Sequence, residues 1–119
     1  MQNDKMDEVF NFLCSKAKIE RDKGVQMLES IIQQLENDNL GLFCDKILTV
    51  MTSDDGWENK HGALMGSKVL LLHIHKVVDN KTPFVDFQNN VLRNCLILLE
   101  DKESRVRLAA GMGYFRIFS

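Results

Sequence analysis

The stretch Ser53–Lys76, SDDGWENKHGALMGSKVLLLHIHK, decides the fold. Asp54-Asp55-Gly56 is a turn signal, and the residues after it run on without proline, which predicts one long helix. Asp55 followed three residues later by Glu58 has the form of a capping box: the Asp55 carboxylate accepts an orphan backbone N–H while Glu58 reaches back. Inside this helix Gly62, Ala63, Gly66 and Ser67 form a patch of small side chains, followed by the bulky run Val69–Leu72. A glycine costs about 1 kcal/mol relative to alanine in a helix interior. Two of them four residues apart therefore point to close approach by another element, with Lys68 expected on the opposite, tolerant face. The pattern predicts a helix packed on more than one side.

Working outward, the chain has 119 residues, 45% hydrophobic and 27% charged, which suits one folded domain and argues against disorder. A single proline and long glycine-free stretches favour helices over a sandwich or barrel, whose frequent turns need more breakers. The net charge of −2 gives no push toward nucleic acid or an anionic membrane. The apolar run Val69–Leu72 is far too short for a transmembrane segment. The polar, acidic start MQNDKMDEVF is unlike a secretory signal. Cys14, Cys44 and Cys95 are odd in number and widely spaced, which fits a reducing intracellular compartment, cytoplasmic or nuclear, rather than a disulfide framework.

Apolar residues at i, i+3, i+4 and i+7 predict five further helices. Met6, Val9, Phe10 and Leu13 define the first, over about residues 4–16. Val25, Leu28, Ile31, Ile32 and Leu35 define the second, over about 20–35. Leu40, Phe43, Cys44, Ile47, Leu48 and Met51 define the third. After the long fourth helix, Thr82 is expected as N-cap with Pro83 at the first helical position, where its missing N–H costs nothing. The fifth helix then runs from Pro83 to about Leu99, and the sixth from Ser104 to Phe118. No stretch alternates as a strand would.

Internal repetition separates a bundle from a stack of hairpins. With the second, fourth and sixth helices superimposed, Gly24, Ala63 and Ala110 coincide, as do Leu28, Ser67 and Tyr114, and Ile31, Leu70 and Ile117. Arg21, Lys60 and Arg107 stand three positions before the small residue. The offsets are 39 and 47 residues, within or near the period of two-helix repeats. Acidic turns, Asp54-Asp55 and Asp101, precede the fourth and sixth helices.

Asp101-Lys-Glu-Ser-Arg-Val-Arg-Leu-Ala-Ala resembles the second-helix signature of HEAT repeats: an acidic turn, Val-Arg, then a small residue. Trp57-Glu-Asn-Lys-His-Gly-Ala-Leu-Met-Gly is similar to the version found in large HEAT scaffolds. The first repeat departs from the pattern, with Glu20 where valine is expected. The resemblance implies an all-α fold, a right-handed α-α superhelix of about three helical hairpins, over residues 4–36, 39–77 and 82–118 of a single domain. It implies architecture far more than function, because this superfamily serves many unrelated partners.

Chemistry-bearing groups are sparse. His73 and His75, two apart on a helix, face different ways and cannot share a metal. The cysteines fall on apolar stripes and read as packing residues. Gly62-x-x-x-Gly66 reads as close packing of helices, and Gly111-x-Gly113 has no preceding strand to make a phosphate loop. No nucleophile stands beside a base and no carboxylate pair stands out. The expectation is a chain with no catalytic residues, no metal and no cofactor.

What remains is a basic ladder, Arg21, Lys60 and Arg107, flanked by Arg105 and Lys68, together with Trp57. The ladder reads either as internal pairing with acidic turns and carbonyls or as a cationic ridge for an acidic or phosphate-bearing ligand. Trp57 reads as a plug between hairpins or as a contact anchor. Two function classes follow. One is a non-catalytic scaffold or adaptor binding protein through the repeat surface. The other is a phosphate-facing module for nucleic acid or phosphoinositide, or, by resemblance to the TOG group of HEAT domains, a tubulin-binding one. The sixth helix still carries Met112, Phe115 and Phe118, too many bulky apolar groups for a helix with one neighbouring side. No polar-faced capping repeat closes the array there. The expectation is the N-terminal portion of a longer array that self-associates or takes a partner through its third repeat. The candidate contact residues are thus Arg21, Trp57, Lys60, Arg105, Arg107, Phe115 and Phe118.

Overall fold

Apolar spacing at the helical period becomes six helices in the computed structural model, which describes residues 2–118, with side chains from Asp4 to Phe115. They are α1 (Gln2–Leu13), α2 (Lys18–Ile31), α3 (Asn37–Met51), α4 (Trp57–Val77), α5 (Val85–Leu98) and α6 (Ser104–Phe118). Three-residue 3-10 turns, Ile32–Gln34 and Thr82–Phe84, extend α2 and lead into α5. Among the described residues there is no strand. The Cα radius of gyration is 13.2 Å, close to the value of about 13.5 Å that one folded unit of this length should have.

Each helix packs on its sequence neighbour in pairs, α1 on α2, α3 on α4 and α5 on α6. Short links between packed consecutive helices force the chain to double back. Across the pairs, α4 touches α2, α6 and the end of α1, while α3 touches α5. The core runs continuously through all six, from Val9, Phe10 and Leu13 through Leu28, Leu40, Phe43, Ile47, Leu64 and Leu70 to Val91, Cys95 and Val106. Phe10 stacks on Phe43 with ring centroids 6.0 Å apart, joining α1 to α3.

The long helix α4 lies at the centre, as its small-residue patch predicts. It buries Gly62, Ala63, Leu64, Gly66, Ser67, Leu70, His73 and Ile74. These positions lie around most of the helix, which is why its sequence lacks one clean apolar stripe. The patch is explained by Leu13, whose backbone ends α1 directly over it. A Cβ on Gly62 would collide with the Leu13 carbonyl oxygen and come within 2.6 Å of its carbonyl carbon. On Gly66 a Cβ would meet Ile47 Cδ1 at 2.8 Å and Leu13 Cδ1 at 3.3 Å. Gly24 receives the same backbone from the α2 side, where an added Cβ would lie 2.7 Å from the Leu13 nitrogen. One residue is thus held by glycines from two helices.

Several boundary expectations are corrected. Asp55 and Glu58 form no capping box: α4 begins at Trp57, and Gly56 is the N-cap, with no side-chain bond. Gly56 has φ +143°, a conformation glycine alone adopts at low cost, and the Asp55 amide instead donates to Ser53 Oγ at 3.2 Å. The Thr82 cap is also replaced. The Thr82 amide donates to Asn80 Oδ1 at 3.2 Å, and Thr82-Pro83-Phe84 forms its own 3-10 turn before α5 starts at Val85. Lys68 does not lie on a free face. It is half-buried and points at the third helix pair, with its Cε 3.9 Å from where a Gly113 Cβ would sit.

Candidate interaction surface

The starts of α2, α4 and α6 meet along one edge, and the basic ladder lies there. Arg21, only 4% exposed, donates from one terminal nitrogen to the carbonyl oxygens of Ser15 (2.9 Å) and Lys16 (3.0 Å), closing the turn before its own helix. Arg107 does the equivalent at α6, donating to the Asp101 carbonyl at 2.7 Å. Lys60 behaves differently. It reaches forward to the next pair and meets the Asp101 carboxylate at 3.2 Å, a contact largely screened from solvent. Asp101 therefore joins α4 to α6 through its side chain and ends the α6 turn through its backbone. Burial alone raises the Asp101 pKa, but the Glu103 amide and the Lys60 ammonium outweigh it and hold the carboxyl below its ordinary value.

Trp57 opens α4 and has two guanidinium groups over its ring. Arg105 stacks on its ring 3.8 Å from the centroid, and Arg21 lies 4.8 Å from the centroid. Arg105 is aimed by Glu103, 2.6 Å away, whose own pKa is lowered by that bond. His61, one turn on, meets Trp57 edge to face at 6.0 Å. Its pKa is lowered, first by burial and then by Arg21 and Lys68, with Asp22 opposing. Nδ1 of His61 and Nε of Arg21 are buried without a protein partner. The ladder and Trp57 are thus brought together along one edge, where Arg21, Lys60 and Arg107 each make a bond within the fold.

A second surface is apolar. Leu108, Met112 and Phe115 follow each other at i, i+4 and i+7 on α6 and are 68%, 53% and 74% exposed. On the other side of the same helix Val106, Ala109, Ala110 and Gly113 are buried. Leu99, the C-cap of α5, borders the stripe, its Cδ2 3.6 Å from a Cβ placed on Gly111. Phe115 is where the aromatic-rich flank was expected, and Leu108 is an addition. Phe118 lies outside the residues whose side chains are described.

The remaining reactive groups are quiet. Burial pushes the Cys44 thiol up to about 12, and burial likewise raises Cys14 and Cys95, so each stays protonated near neutral pH. Burial lowers the pKa of His73, whose Nδ1 has no protein partner. Among the described residues no three of His, Cys, Asp and Glu gather as metal ligands, and no helix is long and apolar enough to cross a membrane. Comparison with family models, curated proteins and solved structures returns no match.

Proposed function

We propose that this chain is a non-catalytic protein-interaction scaffold. In this reading it is a right-handed stack of three HEAT-like helical hairpins that takes its partner on the open side of α6. The observation that carries the reading is the Leu108–Met112–Phe115 stripe. Scattered exposed apolar residues are ordinary, but three large ones in register on one helix, bordered by Leu99, form a surface that gains from being covered. The paired packing of consecutive helices, with α4 touching both α2 and α6, supports the hairpin stack. An intracellular, cytoplasmic or nuclear, setting suits the three unpaired cysteines.

The phosphate-facing and tubulin-binding alternatives draw less support. Arg21 and Arg107 are engaged with turn carbonyls and Lys60 with Asp101, while Trp57 carries both Arg21 and Arg105 over its ring. A ligand would have to displace these contacts before using the same groups.

The test is capture of a protein from cell extract on the immobilised chain, followed by titration with that protein purified. Saturable binding is expected that Leu108→Glu/Phe115→Glu abolishes and that changes little between about 50 and 200 mM salt. Binding confined to nucleic acid or phosphoinositide vesicles, and collapsing over that salt range, contradicts the reading.

A further inference from the structure

Resting on the scaffold reading, we propose that the partner on this face is a second copy of the chain, joined across a two-fold axis by the third helix pair of each copy. The apolar surface extends beyond α6. On α5, Val85, Leu92, Leu96 and Leu99 fall at i, i+7, i+11 and i+14, which places them in one row along the helix. Val85, Leu96 and Leu99 are exposed and Leu92 is half-buried. This row adjoins the Leu108–Met112–Phe115 stripe where Leu99 Cδ2 comes 3.6 Å from a Cβ placed on Gly111. The two rows contain no charged residue. The third pair therefore presents a face of two helices, apolar along both.

Area and the distribution of apolar residues select the occupant. Val85, Leu96, Leu99, Leu108, Met112 and Phe115 are 39–74% exposed. At about 200 Å² for a fully exposed large side chain, the six offer roughly 600 Å². Two copies face to face would cover roughly 1,200 Å² before any polar rim is added, which reaches the lower bound of specific interfaces. An uncharged, largely apolar centre is the composition of contacts between identical chains, whereas contacts between separable, different chains are on the whole no more apolar than ordinary surface.

Copies could also pair head to tail, and the apolar residues are distributed against that. Of the eleven exposed large hydrophobics among the described residues, seven lie on the third pair and one, Ile19, on the first. The outside of the first pair instead exposes charge of both signs, as at Lys5, Glu8, Lys18, Glu20 and Lys23. An uncharged face laid there would strip water from those charges and leave them nothing new to pair with. Matching apolar surface is found on the third pair itself, and a two-fold contact closes at two copies.

The test is sedimentation equilibrium of the unaltered chain from about 1 to 200 µM. The modest area sets the expectation: a monomer–dimer equilibrium with a micromolar dissociation constant, and no species larger than a dimer. Phe115→Glu and, separately, Leu96→Glu should each weaken it about tenfold or more, with the helical circular dichroism of the dilute chain unchanged. Leu96→Glu, on the other helix, carries the test should Phe115→Glu perturb the fold. A two-fold contact needs this face on both copies, so labelled Phe115→Glu chain should also fail to bind the unaltered chain. In a head-to-tail contact that variant would still offer its intact first pair and bind. A chain monomeric throughout the range, assembly beyond two copies, a dimer indifferent to both variants, or binding of the Phe115→Glu chain to the unaltered one overturns the inference. If the chain stays monomeric while a captured protein binds the Leu108–Phe115 stripe, this inference falls and the scaffold reading stands; if neither associates, both fall.

Discussion

The carbonyl group of Leu13 lies directly against Gly62, so the end of α1 and the middle of α4 are in backbone contact. Only a residue without a Cβ fits there, and the approach brings the Gly62 Cα–H groups up to the oxygen, a geometry suited to a weak C–H···O contact. Gly62→Ala should therefore destabilise the fold by about 1–3 kcal/mol, as overpacking against backbone does. Gly41, inside α3, has open space where its Cβ would be. Gly41→Ala should instead stabilise by about 0.5–1 kcal/mol through helix propensity. Denaturant midpoints of the two variants check the prediction, and the signs should be opposite.

The two guanidinium groups on Trp57 should differ in weight. Arg21 is buried and satisfies the Ser15 and Lys16 carbonyls, so Arg21→Ala should cost roughly 2–3 kcal/mol. The Arg105 side chain is 60% exposed and pairs with Glu103 in water. Arg105→Ala should cost under about 1 kcal/mol despite the closer ring contact. Thermal unfolding of the two single variants distinguishes them.

His61 should make stability and fluorescence fall together in mild acid. Its folded pKa lies below its unfolded value of about 6.5, so the unfolded chain binds the proton first. The stabilisation is complete above about pH 6.5 and is lost as pH falls through the folded pKa. The lone tryptophan, Trp57, touches this imidazole, and protonation beside it should quench its emission. His61→Gln should remove the emission step that follows acidification below about pH 6.5. His73, also depressed by burial, contributes to stability with the same sign but is not paired with Trp57.

Asp101 should govern a separate, lower limb. Its folded pKa is depressed, so its contribution is present above the unfolded value of about 3.9 and disappears as pH falls through the folded one. Asp101→Asn should flatten the stability profile below about pH 4 and leave the His61 step in place. Urea midpoints measured from pH 7 to 2.5 separate the two limbs.

The central helix was legible because glycine inside a helix is costly and needs a reason. Gly62 and Gly66 signalled a close neighbour, although not that the neighbour is the end of α1. Helix starts were less legible. In Asp54-Asp55-Gly56 a capping carboxylate and a positive-φ glycine are both available, and local sequence does not rank them. The clamp on Trp57 was hidden because Arg21 and Arg105 come from different helix pairs, joined only by tertiary packing. Leu108 was hidden for a related reason. Val106 and Leu108 are both apolar and point to different sides of α6, so which faces inward is decided by α4 and α5 rather than by periodicity. The forward reach of Lys60 to Asp101 has a visible sign in the acidic turn, but its partner is set by the stacking of the pairs.

On the scaffold reading, the open side of α6 serves a partner rather than the chain's own core. The most direct measurement is the urea midpoint of the Leu108→Glu/Phe115→Glu variant against the unaltered chain. The predicted result is a stability within about 0.5 kcal/mol of the original, as for exposed positions outside the core. A loss of about 2 kcal/mol or more would place these side chains inside the fold and contradict the claim.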